Sequence, residues 1–142
     1  MKLSARSSYA LRMLVDLAER RDQGYISLKE ISERQGISKK YLEQIVPLLN
    51  ASDVLRANRG PRGGYMLAKD PQEYTVGEIL RITEGSLAPV GCVDFGCERS
   101  SDCATLPIWK GLSEVISEYL DGFTLQDIVD QQRERYANIY VI

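Results

Sequence analysis

Among its 142 residues the chain has no histidine. Ser-His-Asp and Cys-His catalysis are therefore excluded within one chain, as is any histidine-ligated metal site. Cysteine is scarce. There are three, an odd number gathered between Cys92 and Cys103, which argues against a secreted disulfide scaffold. A reducing, cytoplasmic setting is expected. No stretch approaches the roughly 18 uncharged apolar residues of a membrane-spanning helix, and Met1–Ser8 lacks the apolar run of a signal peptide. Internal repeats and low-complexity tracts are missing too. What remains is ordinary globular composition, 44% apolar and 27% charged. That excludes disorder and fits one domain, or one domain with an appendage.

The net charge of −2 hides a division. Residues 1–66 hold 12 Lys/Arg against 7 Asp/Glu, and residues 67–142 hold 6 against 13. A basic first half beside an acidic second half suggests a polyanionic partner for one end only.

Apolar periodicity predicts a first helix over residues 4–21, with Ala10, Leu11, Leu14, Leu17 and Ala18 on one face. Ser27-Leu28-Lys29-Glu30 reads as a capping box opening a second helix, which Gly36 should end. Ser38 should cap a third helix whose Leu42, Ile45, Leu48 and Leu49 face inward, with Pro47 kinking or distorting it. Val54–Asn58 and Tyr65–Ala68 flank a Gly/Pro-rich hairpin tip. A hairpin directly after a helix-turn-helix is a winged helix. Thr75-Val76-Gly77-Glu78 reads as another capping box, for a helix ending near Glu84. Residues 86–105 read as a loop. From Pro107 on, Ile108, Leu112, Val115, Ile116, Tyr119 and Leu120 form an apolar stripe, and Thr124 should cap a last helix. The apolar tail Ala137–Ile142 has no assigned role. The expected fold is mainly α: a winged helix-turn-helix with a two-stranded wing over 1–85, a cysteine loop over 86–106, and dimerisation and C-terminal helices over 107–142.

In a helix-turn-helix the second helix enters the major groove with its first residues toward the bases. Here these are Ser38, Lys39, Lys40, Tyr41, Glu43 and Gln44. The lysines and the tyrosine suit phosphates. Gln44 suits adenine, and Glu43 suits the amino group of cytosine. In the wing, Arg59 and Arg62 suit a narrow minor groove, and Gly60 allows close approach of backbone to duplex. Lys2 completes the DNA-binding set, and double-stranded DNA is the expected partner. No nucleophile–base pair stands out, so an enzyme with a small-molecule substrate is not expected.

Cys92, Cys97 and Cys103 give the spacings C-x4-C and C-x5-C. Closely spaced thiolates in a glycine-containing loop can wrap an iron–sulfur cluster. Zinc and redox thiols stay open on spacing alone, since structural zinc sites usually pair two short C-x2–4-C spacings. A small iron–sulfur carrier would also use such a loop, but it has no use for a capped helix-turn-helix and a basic wing.

Several stretches together resemble a known family. They are Ile31–Ser38 with Tyr41-Leu42-Glu43-Gln44, then Arg59-Gly60-Pro61 with Gly63-Gly64-Tyr65, then Val76-Gly77-Glu78, then the three cysteines ahead of Trp109. Across nearly its whole length the chain resembles the Rrf-two family of bacterial winged-helix transcription regulators, and within it the IscR-like iron–sulfur regulators. The resemblance implies a cytoplasmic homodimer that binds DNA. It also implies a cluster, 2Fe–2S ahead of 4Fe–4S, bound by Cys92, Cys97 and Cys103 and reporting iron, oxygen or nitric oxide. A long dimerisation helix after the loop is implied as well. Some members of the family are cysteine-poor and act through protein contacts, so a cluster-free regulator is the alternative. The chain departs from the IscR-like pattern twice. Its first cysteine spacing is one residue shorter, and Leu106 stands where those members have a histidine. The fourth ligand is expected from Asp94, Glu98, Ser100, Ser101 or Asp102, or from the N-terminal helix. There some relatives carry an acidic residue where this chain has Ser8.

Overall fold

Ser4 opens the first helix by accepting a hydrogen bond from the Ser7 N–H, and α1 then runs Ala5–Glu19. The computed structural model describes residues 2–140; Met1, Val141 and Ile142, the last two closing the apolar tail, lie outside the described residues. Ala10, Leu14, Leu17 and Ala18 of α1 are buried as their spacing predicts, and Leu11 packs on the edge of the core. Met13, Val15 and Asp16 are buried too, so α1 is enclosed on more than one face.

The capping box at Ser27 and Glu30 is complete, and α2 runs Leu28–Gln35. Gly36 ends it at φ 65, a left-handed conformation that suits glycine. The next helix, α3, spans Lys39–Ala51 and is capped by Ser38, which accepts from the Tyr41 N–H. Pro47 lies inside α3 without ending it. Pro47 and Glu43 are both exposed, so water can replace the helix bond that proline cannot donate.

The wing is an antiparallel pair, β1 Leu55–Asn58 and β2 Gly64–Leu67, in register Leu55↔Leu67 through Asn58↔Gly64. Tyr65 also exchanges backbone bonds of 2.9 and 2.8 Å with Ile26, which ties the wing to the approach to α2. Gly64 is required there: a Cβ would collide with the Ile26 carbonyl. At the wing root, the buried Tyr74 hydroxyl donates to the Val54 carbonyl and accepts from the Lys69 N–H.

Thr75 caps α4, Val76–Glu84, but the expected reciprocal bond from Glu78 is not made. The segment instead pairs with the start of the last helix through an antiparallel bridge, Thr75↔Thr124. Residues 86–105 are not wholly loop, since a short helix, α5, occupies Gly91–Phe95. Then come α6, Leu106–Asp121, and α7, Leu125–Tyr140. Thr124 and Asp127 cap α7 reciprocally, at 2.9 and 3.1 Å. Most of the apolar tail is therefore the end of α7.

Leu125 and Val129 of α7 join residues of α1, α2, α3 and the wing in one core, and no residue between 86 and 121 takes part in it. The fold is a mainly helical winged helix-turn-helix. Its acidic second half leaves the core as the cysteine loop and α6, then returns to it as α7. Among the described residues no helix is long and apolar enough to cross a membrane.

Candidate functional site

The burial of Leu42, Ile45, Val46 and Leu49 turns the opposite face of α3 outward. On it Ser38, Lys39, Lys40, Glu43 and Gln44 are exposed. Among the described residues, the side chains of Lys39, Lys40, Glu43 and Gln44 make no hydrogen bond or ion pair within the protein. Tyr41 is half-buried and stands edge-on to Tyr9 of α1, with ring centroids 5.1 Å apart. Arg12 lies over the Tyr9 ring, 5.6 Å from its centroid, and its guanidinium donates to the Gln35 carbonyl.

A buried carboxylate fixes the angle between the helices. Asp16 is wholly buried and accepts two bonds from Arg34, at 2.7 and 3.0 Å, and one from Gln35 at 3.0 Å. The paired carboxylate raises the Arg34 pKa above its ordinary value. Such bidentate geometry is strong and directional. It locks the end of α2 onto α1 immediately before the turn into α3.

Arg59, Gly60 and Arg62 are exposed at the wing tip, where Gly63 N–H closes the turn onto Gly60 O at 2.9 Å. Lys2 is not with them. It lines a cleft with Leu3, Glu84, Ser86, Leu87 and Ala88 at the entrance to the cysteine loop, against Ile116 and Leu120 of α6.

The cysteines are free. Cys92 lies in α5, Cys97 just beyond it, and Cys103 just ahead of α6. The Thr105 hydroxyl, 3.4 Å from Cys103 Sγ, together with the Thr105 and Leu106 N–H groups, draws that thiol below its usual pKa. Cys97 Sγ accepts from the Arg99 N–H at 3.5 Å. Among the described residues no three Cys, Asp or Glu side chains converge on a common metal position. Of the oxygen donors, Asp94 is held by the Ser86 hydroxyl and Ser100 by the Cys97 backbone, while Glu98, Ser101 and Asp102 are exposed. Ser8 is exposed on α1. Leu106 is buried.

Along α6 the apolar stripe is bare. Ile108 is 64% exposed, Val115 62% and Tyr119 66%, and Leu112 is exposed as well. Ile116 and Leu120 are half-covered.

Sequence reasoning missed Asp16, Tyr9, Arg12 and Glu84. Asp16 was visible as an acid at an inward position between Met13 and Leu17. Glu84 carried no such local signal, because the serines it binds are about 80 residues away.

A capped recognition helix whose outer face is polar and unpaired, with an arginine-tipped hairpin behind it, defines a winged-helix DNA-binding transcription regulator. The Rrf2 (Rrf-two) family, described as iron-dependent transcriptional regulators, matches residues 3–131, and the chain belongs to that family. It is 38% identical over 133 residues to the HTH-type transcriptional regulator IscR of Serratia proteamaculans, covering 93% of this chain and 81% of that one. The IscR of Klebsiella pneumoniae is 36% identical, with 93% and 82% covered. Among solved structures, T. potens IscR superposes with TM-score 0.78 at 35% identity, covering 95% of this chain and 90% of that one. The global cysteine regulator CymR of B. subtilis superposes with TM-score 0.77 at 31% identity, covering 92% and 98%.

Proposed function

We propose that this regulator binds an iron–sulfur cluster through Cys92, Cys97 and Cys103, and that the cluster's state alters how a homodimer recognises its operator. The observation that carries the reading is the placement of the thiols. Three free cysteines sit in one polar surface segment outside the core, joined at one end to α4 and at the other to the bare helix α6. The donor set fits. Thiolates are the ligands such clusters take, and the hydrogen bonds to Cys103 favour its thiolate form. The thiols are not pre-gathered, so loading requires the loop to close around the metal. The fourth ligand is an oxygen from Asp94, Glu98, Ser100, Ser101 or Asp102, or from the N-terminal helix α1, because Leu106 is buried and has no donor atom. A 2Fe–2S cluster is favoured over 4Fe–4S. When bound, the cluster supplies a redox-active centre that responds to iron supply, oxidants or nitric oxide.

On the DNA side, Ser38 leads the helix into the groove, Lys39, Lys40 and Tyr41 hold phosphates, Glu43 and Gln44 read bases in the major groove, and Arg59, Gly60 and Arg62 approach the minor groove. The bare stripe on α6 pairs two copies about a two-fold axis. That sets two recognition helices about one DNA turn or a multiple apart and calls for a near-palindromic operator. The protein acts in the cytoplasm.

Absorption and Mössbauer spectra of anaerobically purified protein test the cluster and its nuclearity together. A colourless, iron-free protein that still binds its operator overturns the reading. A second reading is a cluster-free regulator acting through protein contacts, and the same spectra decide between the two.

A further inference from the structure

We propose that Glu84 is a positioning residue that ties the DNA-reading head to the cysteine loop. The regulatory half of this rests on reading Cys92, Cys97 and Cys103 as cluster ligands. Glu84 is the last residue of α4, and the loop begins just beyond Gly85. One carboxylate oxygen, Oε1, accepts three bonds: from Ser4 N–H at 2.7 Å, from the Ser4 hydroxyl at 2.6 Å and from the Ser7 hydroxyl at 2.6 Å. Ser7 is fully buried, and its oxygen lies 2.6 Å from that of Thr83, also buried, on the same turn of α4. A carboxylate on the first turn of α1 also meets the positive end of that helix dipole. The end of α4 thus clamps the start of α1.

Two contacts extend the clamp in opposite directions. Tyr9 follows Ser7 by two residues and stands edge-on to Tyr41 in the first turn of α3. Displacing the first turn of α1 therefore moves the packing partner of a recognition-helix residue. On the other side, Lys2 and Leu3 share a cleft with Ser86, Leu87 and Ala88 of the loop and with Ile116 and Leu120 of α6. Closing the loop around a cluster pulls on both the residues after Glu84 and the arm before Ser4. Packed elements with two discrete arrangements carry coupling of this kind, and coupling has to be measured as such.

The test uses the full chain, purified anaerobically, and a duplex that the parent protein selects from a random-sequence pool. Glu84→Ala is expected to speed amide exchange at Ser7, Ser8 and Tyr9 and to weaken duplex binding, with oligomer mass and helical circular dichroism kept. Glu84→Gln, whose amide oxygen still accepts from the serines, is expected to recover most of the binding. Faster exchange with parent-like affinity overturns the positioning role. Should Glu84→Ala not fold, Ser7→Ala is read in the same way, with the same outcome overturning the role. For the regulatory half, duplex affinity is compared before and after the cluster is removed with a chelator. In the parent this ratio is expected at about 5–150-fold, the usual scale of allosteric coupling. In Glu84→Ala it should collapse towards one while visible absorption is retained, and an unchanged ratio refutes the coupling. A parent without visible absorption refutes the cysteine reading and the coupling with it, while the exchange and affinity measurements still decide the positioning role.

Discussion

Replacing Val115 by aspartate should dissociate the proposed dimer. Val115 is 62% exposed in the single chain and is flanked along the stripe by Ile108, Leu112 and Tyr119, all exposed. Full burial of a large aliphatic side chain is worth about 1.5–3 kcal/mol. Close to two thirds of that is still to be gained at Val115, and a two-fold axis brings two copies of the residue to the interface. The loss from the two valines alone is therefore about 2–4 kcal/mol, before counting the burial of two carboxylates. At about 1.4 kcal/mol per decade this weakens the dimer roughly 30- to 700-fold in Kd. Sedimentation equilibrium across a concentration series measures it directly. Val115 lies outside the core, so helical circular dichroism should be unchanged. A Val115→Asp protein with the parent's dimer Kd would refute the assignment of α6 as the interface.

Lys39→Ala should weaken binding to every duplex and lower the magnitude of the salt slope by about one, because one phosphate contact is lost; Glu43→Ala should instead change the rank order of operator variants, by about 1–3 kcal/mol at one base pair. Cys92→Ala, Cys97→Ala and Cys103→Ala should each lose visible absorption while keeping helical circular dichroism, and a full cluster in any one of them would contradict the ligand assignment. Asp16→Ala should destabilise the head by about 3 kcal/mol in urea unfolding, the low end for a broken buried ion pair because Arg34 is partly exposed. The serine hydroxyls and the Ser4 N–H hold the Glu84 carboxylate below its usual pKa, and Arg81 does the same for Asp121. A depressed folded pKa adds stability above the ordinary carboxylate range near pH 4, and that stability is lost as pH falls through the folded values. The Tm of Glu84→Gln should accordingly fall less than the parent's between about pH 6 and about pH 3.

Local signals placed the elements well because caps and apolar spacing act within a few residues. Ser27 with Glu30, Ser38 and Thr124 all cap the helices they were expected to cap. Thr75 was half right. Its side chain caps α4, but an antiparallel bridge to Thr124 occupies the segment, and a partner almost fifty residues away leaves no trace in a four-residue pattern. The same limit hid the Glu84 clamp and the meeting of Tyr9 with Tyr41. The α6 stripe was legible because its spacing is clean, and the isolated chain leaves most of it bare. The loop was legible as a cysteine cluster in sequence only. Helix α5 within it, and the separation of its thiols, depend on how a polar segment outside the core settles.

That separation fits the division of labour in the chain. The core draws on α1 to α4, the wing and α7, and takes nothing from residues 86 to 121. The head can therefore fold whatever the loop does. Phe95, 89% exposed, shows how little the loop buries. A segment with few buried contacts sits at the low end of local stability, so ligand binding can reorder it at small cost. Its two ends are not free, however. One continues from α4, whose last residue clamps α1, and the other enters α6, whose Asp121 is held to Arg81 of α4 by bonds of 2.8 and 3.0 Å. A labile loop spanning two anchored helices converts a local ordering event into a change of angle between them. In the proposed dimer that angle would set the distance between the two recognition helices, the quantity an operator of fixed half-site spacing reads.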